Sequence, residues 1–312
     1  METTNCTPLP ARLFVLSATV VILSDVKPWL LAALIAVAGC SDSAPSTGPS
    51  PVPSSPITVT ATLTDTVTGA TIGTSTQTAA ALPARLLFAH PGYVTRDTWV
   101  HSAQVRTDLI PEAGFDLAFY RQLARNGLES PSNLSTLRIL TRAPAIYLQT
   151  AGLSAANVAA LESAAQAVLP ALTGGRFQLT HWETGPEART PQVGWITVQL
   201  VSEPSGPCGR ANVGAVAGHI WLNIATPDGQ SNGCYRPQWH TFRHELGHAL
   251  GFWHVDHDAA LMKNLRPLAH DGQPSASERH HAAIAYARLP GNEDIDRDPI
   301  TPASLFAPTI VD

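Results

Sequence analysis

The chain has 312 residues, a net charge of −5 and 14% charged residues, with a pI of about 6.2. It carries no dense run of Lys and Arg, so nothing favours nucleic acid as a partner.

The first forty residues read as a targeting segment rather than as fold. Trp29 to Gly39 is an apolar run ending in Val37-Ala38-Gly39-Cys40, with Lys27 as the positive flank of a signal peptide. Small residues before a cysteine after such a run resemble a bacterial lipoprotein signal, which implies cleavage before a lipid-modified Cys40. The alternative is an ordinary secretory signal with Cys40 incidental. A second apolar run, Leu13 to Ser24, precedes it, and neither reaches the roughly 18 residues of a spanning helix. The working start is expected near Val26. This reading places the protein at the bacterial cell envelope, in the periplasm or on the cell surface, meeting the membrane through the lipid anchor only. Ser41 after the cysteine resembles an outer-membrane sorting pattern. The ordinary signal would instead make the protein secreted.

Residues 41–56 form a Pro/Ser/Gly tether, too polar to bury a core and stiffened by proline. From Ile57 the pattern alternates: Ile57, Val59, Ala61 and Leu63 point one way and threonines the other. Turns are expected at Val67-Thr68-Gly69 and at Pro91-Gly92. Residues 57–103 are therefore expected to form a small β-sandwich-like domain. In outline it resembles the transthyretin-like modules found beside carboxypeptidases, and a spacer without a ligand is the simpler reading. Residues 104–135 are read as a connecting helical segment, with an amphipathic helix over 114–126.

The next 150 residues or so are enough for one core with a mixed sheet and three helices. Strands are expected at 144–149, 176–182, 193–201 and 213–224. Ser154 is a good N-cap for an Ala-rich helix to about 169. A helix is expected over about 238–250. A last helix, to about 288, opens with the capping-box pattern Ser275-x-x-Glu278.

The helix at 238–250 carries the most specific signal. Residues 244–254 read His244-Glu245-Leu246-Gly247-His248-Ala249-Leu250-Gly251-Phe252-Trp253-His254, the long form H-E-x-x-H-x-x-G-x-x-H. Helical geometry puts His244 and His248 on one face, a turn apart, where both can grip one zinc ion. Continued as helix, His254 would lie about 15 Å beyond His244, too far for zinc–nitrogen bonds of about 2.0–2.1 Å. Gly251 resolves this, because glycine accepts the left-handed conformation that ends a helix and turns the chain. Three protein nitrogens leave a position for water, and Glu245 can take its proton as it attacks a carbonyl. His240 forms a decoy pair with His244, but no glutamate follows it. Cys208 and Cys234 flank the strand before this helix. In an oxidising compartment they are expected to form a disulfide, worth about 3 kcal/mol in the loop-entropy model.

Eight residues after His254 comes Met262, and with it the chain resembles a metzincin zinc metalloprotease, nearest in spacing to the matrixin-like branch. The resemblance covers residues 136–290. It implies an α+β catalytic domain with a mixed twisted sheet, three helices and a Met-turn, in which Met262 is the apolar floor under the three ligands. It also implies that the strand at 217–224 is the edge that pairs with an extended substrate, and that 263–274 wall the pocket beyond the cleaved bond. Lys263 and Asn264 stand where some branches place a tyrosine. His219 on that strand is expected to be exposed.

The tail, 291–312, alternates acidic residues over 293–298, which makes Ca²⁺ a secondary cofactor candidate. Pro299 and Leu305 stand where a calcium loop wants glycine and glutamate, so a solvated acidic tail is the reading taken. Together these readings point to a zinc-dependent endopeptidase with one catalytic Zn²⁺ and a polypeptide substrate. The rivals are a non-catalytic surface-binding lipoprotein on the same fold, and a zinc amidase acting on a non-protein amide.

Overall fold

The computed structural model describes residues 55–224, 239–264, 272–302 and 309–311. The expected signal, Cys40 and nearly all of the tether lie outside these residues, as do Cys234 and most of 263–274. Among the described residues no helix is long and apolar enough to cross a membrane.

Alternation in the first strands builds a small β-module. Strand β1 (Ile57–Asp65) returns antiparallel as β2 (Thr71–Ala79). The turn is closed by Asp65, whose Oδ1 accepts from the backbone N–H groups of Val67 (2.8 Å) and Thr68 (2.7 Å). Strands β3 (Ala84–Phe88) and β5 (Arg96–Val100) pair with each other. Strand β4 (Tyr93–Val94) pairs with β6 (Gln104–Pro111), and β6 runs parallel to β1. Val59, Ala61 and Leu63 from β1 meet Phe88, Val100 and Leu109 in a core of their own.

The module therefore reaches Pro111, not residue 103. The segment expected to be helical from 104 onward opens with a strand, because Thr107 and Leu109 at period two extend the buried face of β1, in register with Leu63 and Asp65. Helix α1 (Leu117–Arg125) follows, capped by Asp116, whose side chain accepts from the N–H groups of Ala118 and Phe119.

The larger part is a six-stranded sheet with three helices. Strands β7 (Ala145–Gln149), β8 (Trp182–Gly185), β9 (Trp195–Val201) and β11 (Gly218–Asn223) are mutually parallel. Strand β10 (Gly209–Asn212) runs antiparallel to β11, and β12 (Ile310–Val311) runs antiparallel to β10. The order is β12-β10-β11-β9-β7-β8. Helix α2 (Ala155–Leu172) begins at the expected Ser154 cap, and α4 (Ala276–Tyr286) begins with the full capping box at Ser275 and Glu278. Helix α3 (Trp239–Ala249) packs among them, and one apolar core runs from Ile146 and Ile196 in the sheet through Leu161 and Val168 to Leu246 and Ile284. The whole is a mixed α+β fold with four helices among the described residues.

Two expectations fail here. The strand expected at 176–182 lies at 182–185: Phe177 and Leu179 pack against the core from irregular chain, so their alternation is burial without a ladder. Two of the four acidic residues over 293–298 are not solvated. Asp296 and Asp298 are 3% and 1% exposed. Arg288 donates to Asp296 (2.9 Å), Arg96 to Asp298 (2.7 Å), and both arginines reach Asp108 on β6 (2.5 and 2.6 Å). Asn292 donates to both tail carboxylates. Burial alone would raise the carboxyls of Asp108 and Asp298. The arginines outweigh it and hold both below the usual carboxylate range. The charges that suggested calcium are thus matched by guanidinium groups joining the tail to the β-module.

Candidate metal centre

Helix α3 carries His244, Glu245 and His248, all buried. The helix ends where the sequence places Gly251, at φ +108°, with its N–H donating to the His248 carbonyl (2.8 Å). A Cβ at Gly251 would lie 1.9 Å from the Arg138 carbonyl oxygen, so glycine is required by space as well as by backbone angle. The chain then turns back and delivers His254.

The three Nε2 atoms form a near-equilateral triangle of 3.1, 3.2 and 3.2 Å. Each Nδ1 is engaged elsewhere: His244 with the Leu261 carbonyl, His248 with the Phe252 carbonyl and His254 with Glu129 Oε1, all at 2.7 Å. A carbonyl or carboxylate oxygen accepts, so the ring proton sits on Nδ1 and each Nε2 presents a lone pair. Three buried lone pairs aimed at one point repel one another unless a cation lies between them. Nitrogens so spaced suit an ion about 2.0–2.1 Å from each. Among the described residues this is the one group of His, Cys, Asp or Glu close enough to hold a metal ion.

Met262 is fully buried. A Cβ on Gly247 would come within 2.3 Å of its sulfur, so Gly247 lets the helix rest directly on the thioether. The turn is held by a residue known from the sequence only as a cap. Glu278 accepts from the N–H groups of Leu261 (2.9 Å), Met262 (2.7 Å) and Ser275 (2.6 Å). It therefore fixes the peptide whose carbonyl orients His244.

The strand over the site is not the one expected. Strand β11, which contains 218–223, is flanked by β9 and β10 and has no free edge. Strand β10 packs directly on Glu245: a Cβ on Gly209 would lie 2.7 Å from both Cγ and Oε1 of that residue. Four residues with little apolar character gave no strand signal. On its outer side β10 is paired by β12 at Ala211 and Asn212, and the Val213 N–H donates to the Thr309 carbonyl (2.8 Å).

His219 is also displaced from its expected setting. It is 9% exposed, stacked on Trp221 at 3.8 Å and bonded through Nε2 to Gln199 (3.1 Å). Burial, helped by nearby Arg210, lowers its pKa to about 4. His240, the decoy, lies against Trp239. Lys263 pairs with Asp258. Cys208 is disulfide-bonded, and its expected partner Cys234 lies outside the described residues. Glu129 had no signal in the sequence: it stands 125 residues before His254 in a segment of turns.

No protein-family model and no curated protein sequence matches the chain.

Proposed function

We propose that this protein is a zinc-dependent endopeptidase of the metzincin kind, acting on extended polypeptide at the bacterial envelope. One observation carries the reading: three buried Nε2 lone pairs converge, Glu245 follows the first of them, and an antiparallel strand lies over that glutamate. All-imidazole donor sets of three at this spacing suit zinc, although copper, nickel and iron also bind imidazole. The glycine-terminated helix, the buried methionine under it and the mixed sheet with one antiparallel strand beside the site support the family assignment.

Zinc bound there would supply a Lewis acid that polarises a carbonyl and lowers the pKa of water. The chain's own part is positional and acid–base. The Glu245 carboxylate receives the proton of the attacking water and returns it to the departing amine. Its burial keeps that exchange away from bulk water. Among the described residues, no strand pairs with Gly209 or Arg210 on the side away from β11. Backbone beside Glu245 that no described strand pairs suits an extended chain better than a compact amide.

The test is to purify the protein beside Glu245→Gln and to measure zinc per chain and cleavage of a denatured protein. A panel of cell-wall amides is run in parallel, and each reaction is repeated with a chelator. About one zinc in both proteins, with chelator-sensitive proteolysis in the wild type only, supports the proposal. Zinc with hydrolysis of the amides alone would make it an amidase. Zinc without any hydrolysis would leave the binding reading, and no zinc would reject the metal centre.

A further inference from the structure

We infer that the segment from helix α1 to Glu129, outside the histidine motif, positions the third metal ligand, and that Glu129 is the positioning residue. The inference rests on the metal-site reading above. His244 and His248 are held in register by their own helix. His254 is not: it stands on irregular chain between Gly251 and Met262. Its placement needs contacts from elsewhere, and one short segment makes three of them. The Trp253 N–H donates to the Leu123 carbonyl (2.8 Å). The Asp256 N–H donates to Gln122 Oε1 (2.9 Å). The His254 ring itself donates to Glu129 Oε1 (2.7 Å). The residues on both sides of the ligand, and the ligand, are tied to 122–129.

That segment is itself anchored. Asn126 ends α1 in the left-handed conformation, Ser130 N–H donates to the Asn126 carbonyl (3.0 Å), and Ser135 N–H to the Arg125 carbonyl (2.8 Å). Arg125 is fully buried and bonded to Asn292, with Glu293 O a further acceptor at 3.0 Å. Glu129 also differs in kind from the other two acceptors. Backbone carbonyls orient His244 and His248 without net charge, whereas a carboxylate makes a stronger, charge-assisted bond and increases the donor strength of the opposite nitrogen. Its side chain is 38% exposed, so solvent screens part of that charge and the remainder acts on a ring that is 3% exposed.

The experiment uses the full protein as wild type, Glu129→Ala and Glu129→Gln. Zn²⁺ affinity is measured by competition with a chromogenic chelator, and the visible absorption of the Co²⁺-loaded proteins is recorded. We expect one metal per chain in all three. Affinity should be about 10–100-fold weaker in Glu129→Ala, within the range for such outer partners. Glu129→Gln, which keeps an accepting oxygen but no charge, should fall between, and the Co²⁺ bands should shift in both. Wild-type affinity and spectrum in Glu129→Ala would overturn the inference while leaving the metal centre intact. If Glu129→Ala does not fold, Glu129→Gln decides alone: wild-type affinity and spectrum there would remove the carboxylate's role. A wild type that binds no zinc would overturn both readings together.

Discussion

The carboxylate of Glu278 accepts the backbone N–H of Met262 at 2.7 Å, joining the capping box of the last helix to the turn beneath the three histidines. The same carboxylate holds Leu261, and the Leu261 carbonyl holds His244. A helix cap and a ligand-orienting bond are thus two ends of one connection. This explains why a glutamate with no exposed surface is tolerated in the core: three backbone donors surround it.

Replacing that glutamate is expected to reach the metal. Glu278→Gln presents one accepting oxygen and turns an amide donor toward backbone N–H groups. We expect a loss of about 1–3 kcal/mol from the unsatisfied donors. Zn²⁺ affinity should fall as well, through the loosened Leu261 carbonyl. Denaturant unfolding of the metal-free protein and chelator competition measure the two effects separately. Unchanged affinity alongside the lost stability would break the proposed connection.

Gly209→Ala tests the strand over the base. The added methyl would meet Cγ and Oε1 of Glu245 and Cγ2 of Thr241, each at 2.7 Å, so the Glu245 side chain must shift. We expect kcat to fall by about tenfold or more, in line with the contribution of a positioned acid–base group, with metal content unchanged. Zinc analysis beside steady-state kinetics would show it. An unimpaired kcat would place the working carboxylate away from β10.

Deletion of residues 309–312 should uncover the outer edge of Ala211 and Asn212. Strand β12 runs toward Gly209, with Thr309 opposite Val213, Ile310 opposite Asn212 and Val311 opposite Ala211. A polypeptide adding to β10 meets this strand as a competitor for backbone bonds. KM should drop several-fold for peptides extended on that side and stay the same for short ones. Equal KM values for both lengths in the deletion variant would show that the substrate does not use this edge.

Stability should fall in two steps on acidification. His219 titrates near 6.5 in the unfolded chain and at about 4 in the fold, facing Gln199, Trp221 and Arg210. Between those values the unfolded chain binds more protons. The contribution is therefore complete above about pH 6.5 and is lost as pH falls toward 4. Asp108 and Asp298 are held below their ordinary values, so their contribution is present above about pH 4 and lost below it. Burial lowers the pKa of His281 as well, so unfolding curves from pH 7 to 3 should lose part of the upper step in His219→Gln and part of the lower step in Asp298→Asn. A profile unchanged by His219→Gln would contradict the first assignment.

What the sequence by itself determined is what a few neighbouring residues can fix. The spacing of His244, His248 and Gly251, the Ser154 cap and the Ser275–Glu278 box all depend on helix geometry or one turn, and all are in place. Tertiary structure alone decided which strand lies over the site. Period-two alternation gives a strand's faces but not its neighbours, so 218–223 could be read as an edge although β9 and β10 enclose it. It also decided that Glu129 meets His254 across 125 residues, and that Asp296 and Asp298 of the tail are buried against Arg288 and Arg96 rather than in solvent. A charged residue has the same local sequence signature whether it faces water or a partner. Only the packed chain brings the partner to it.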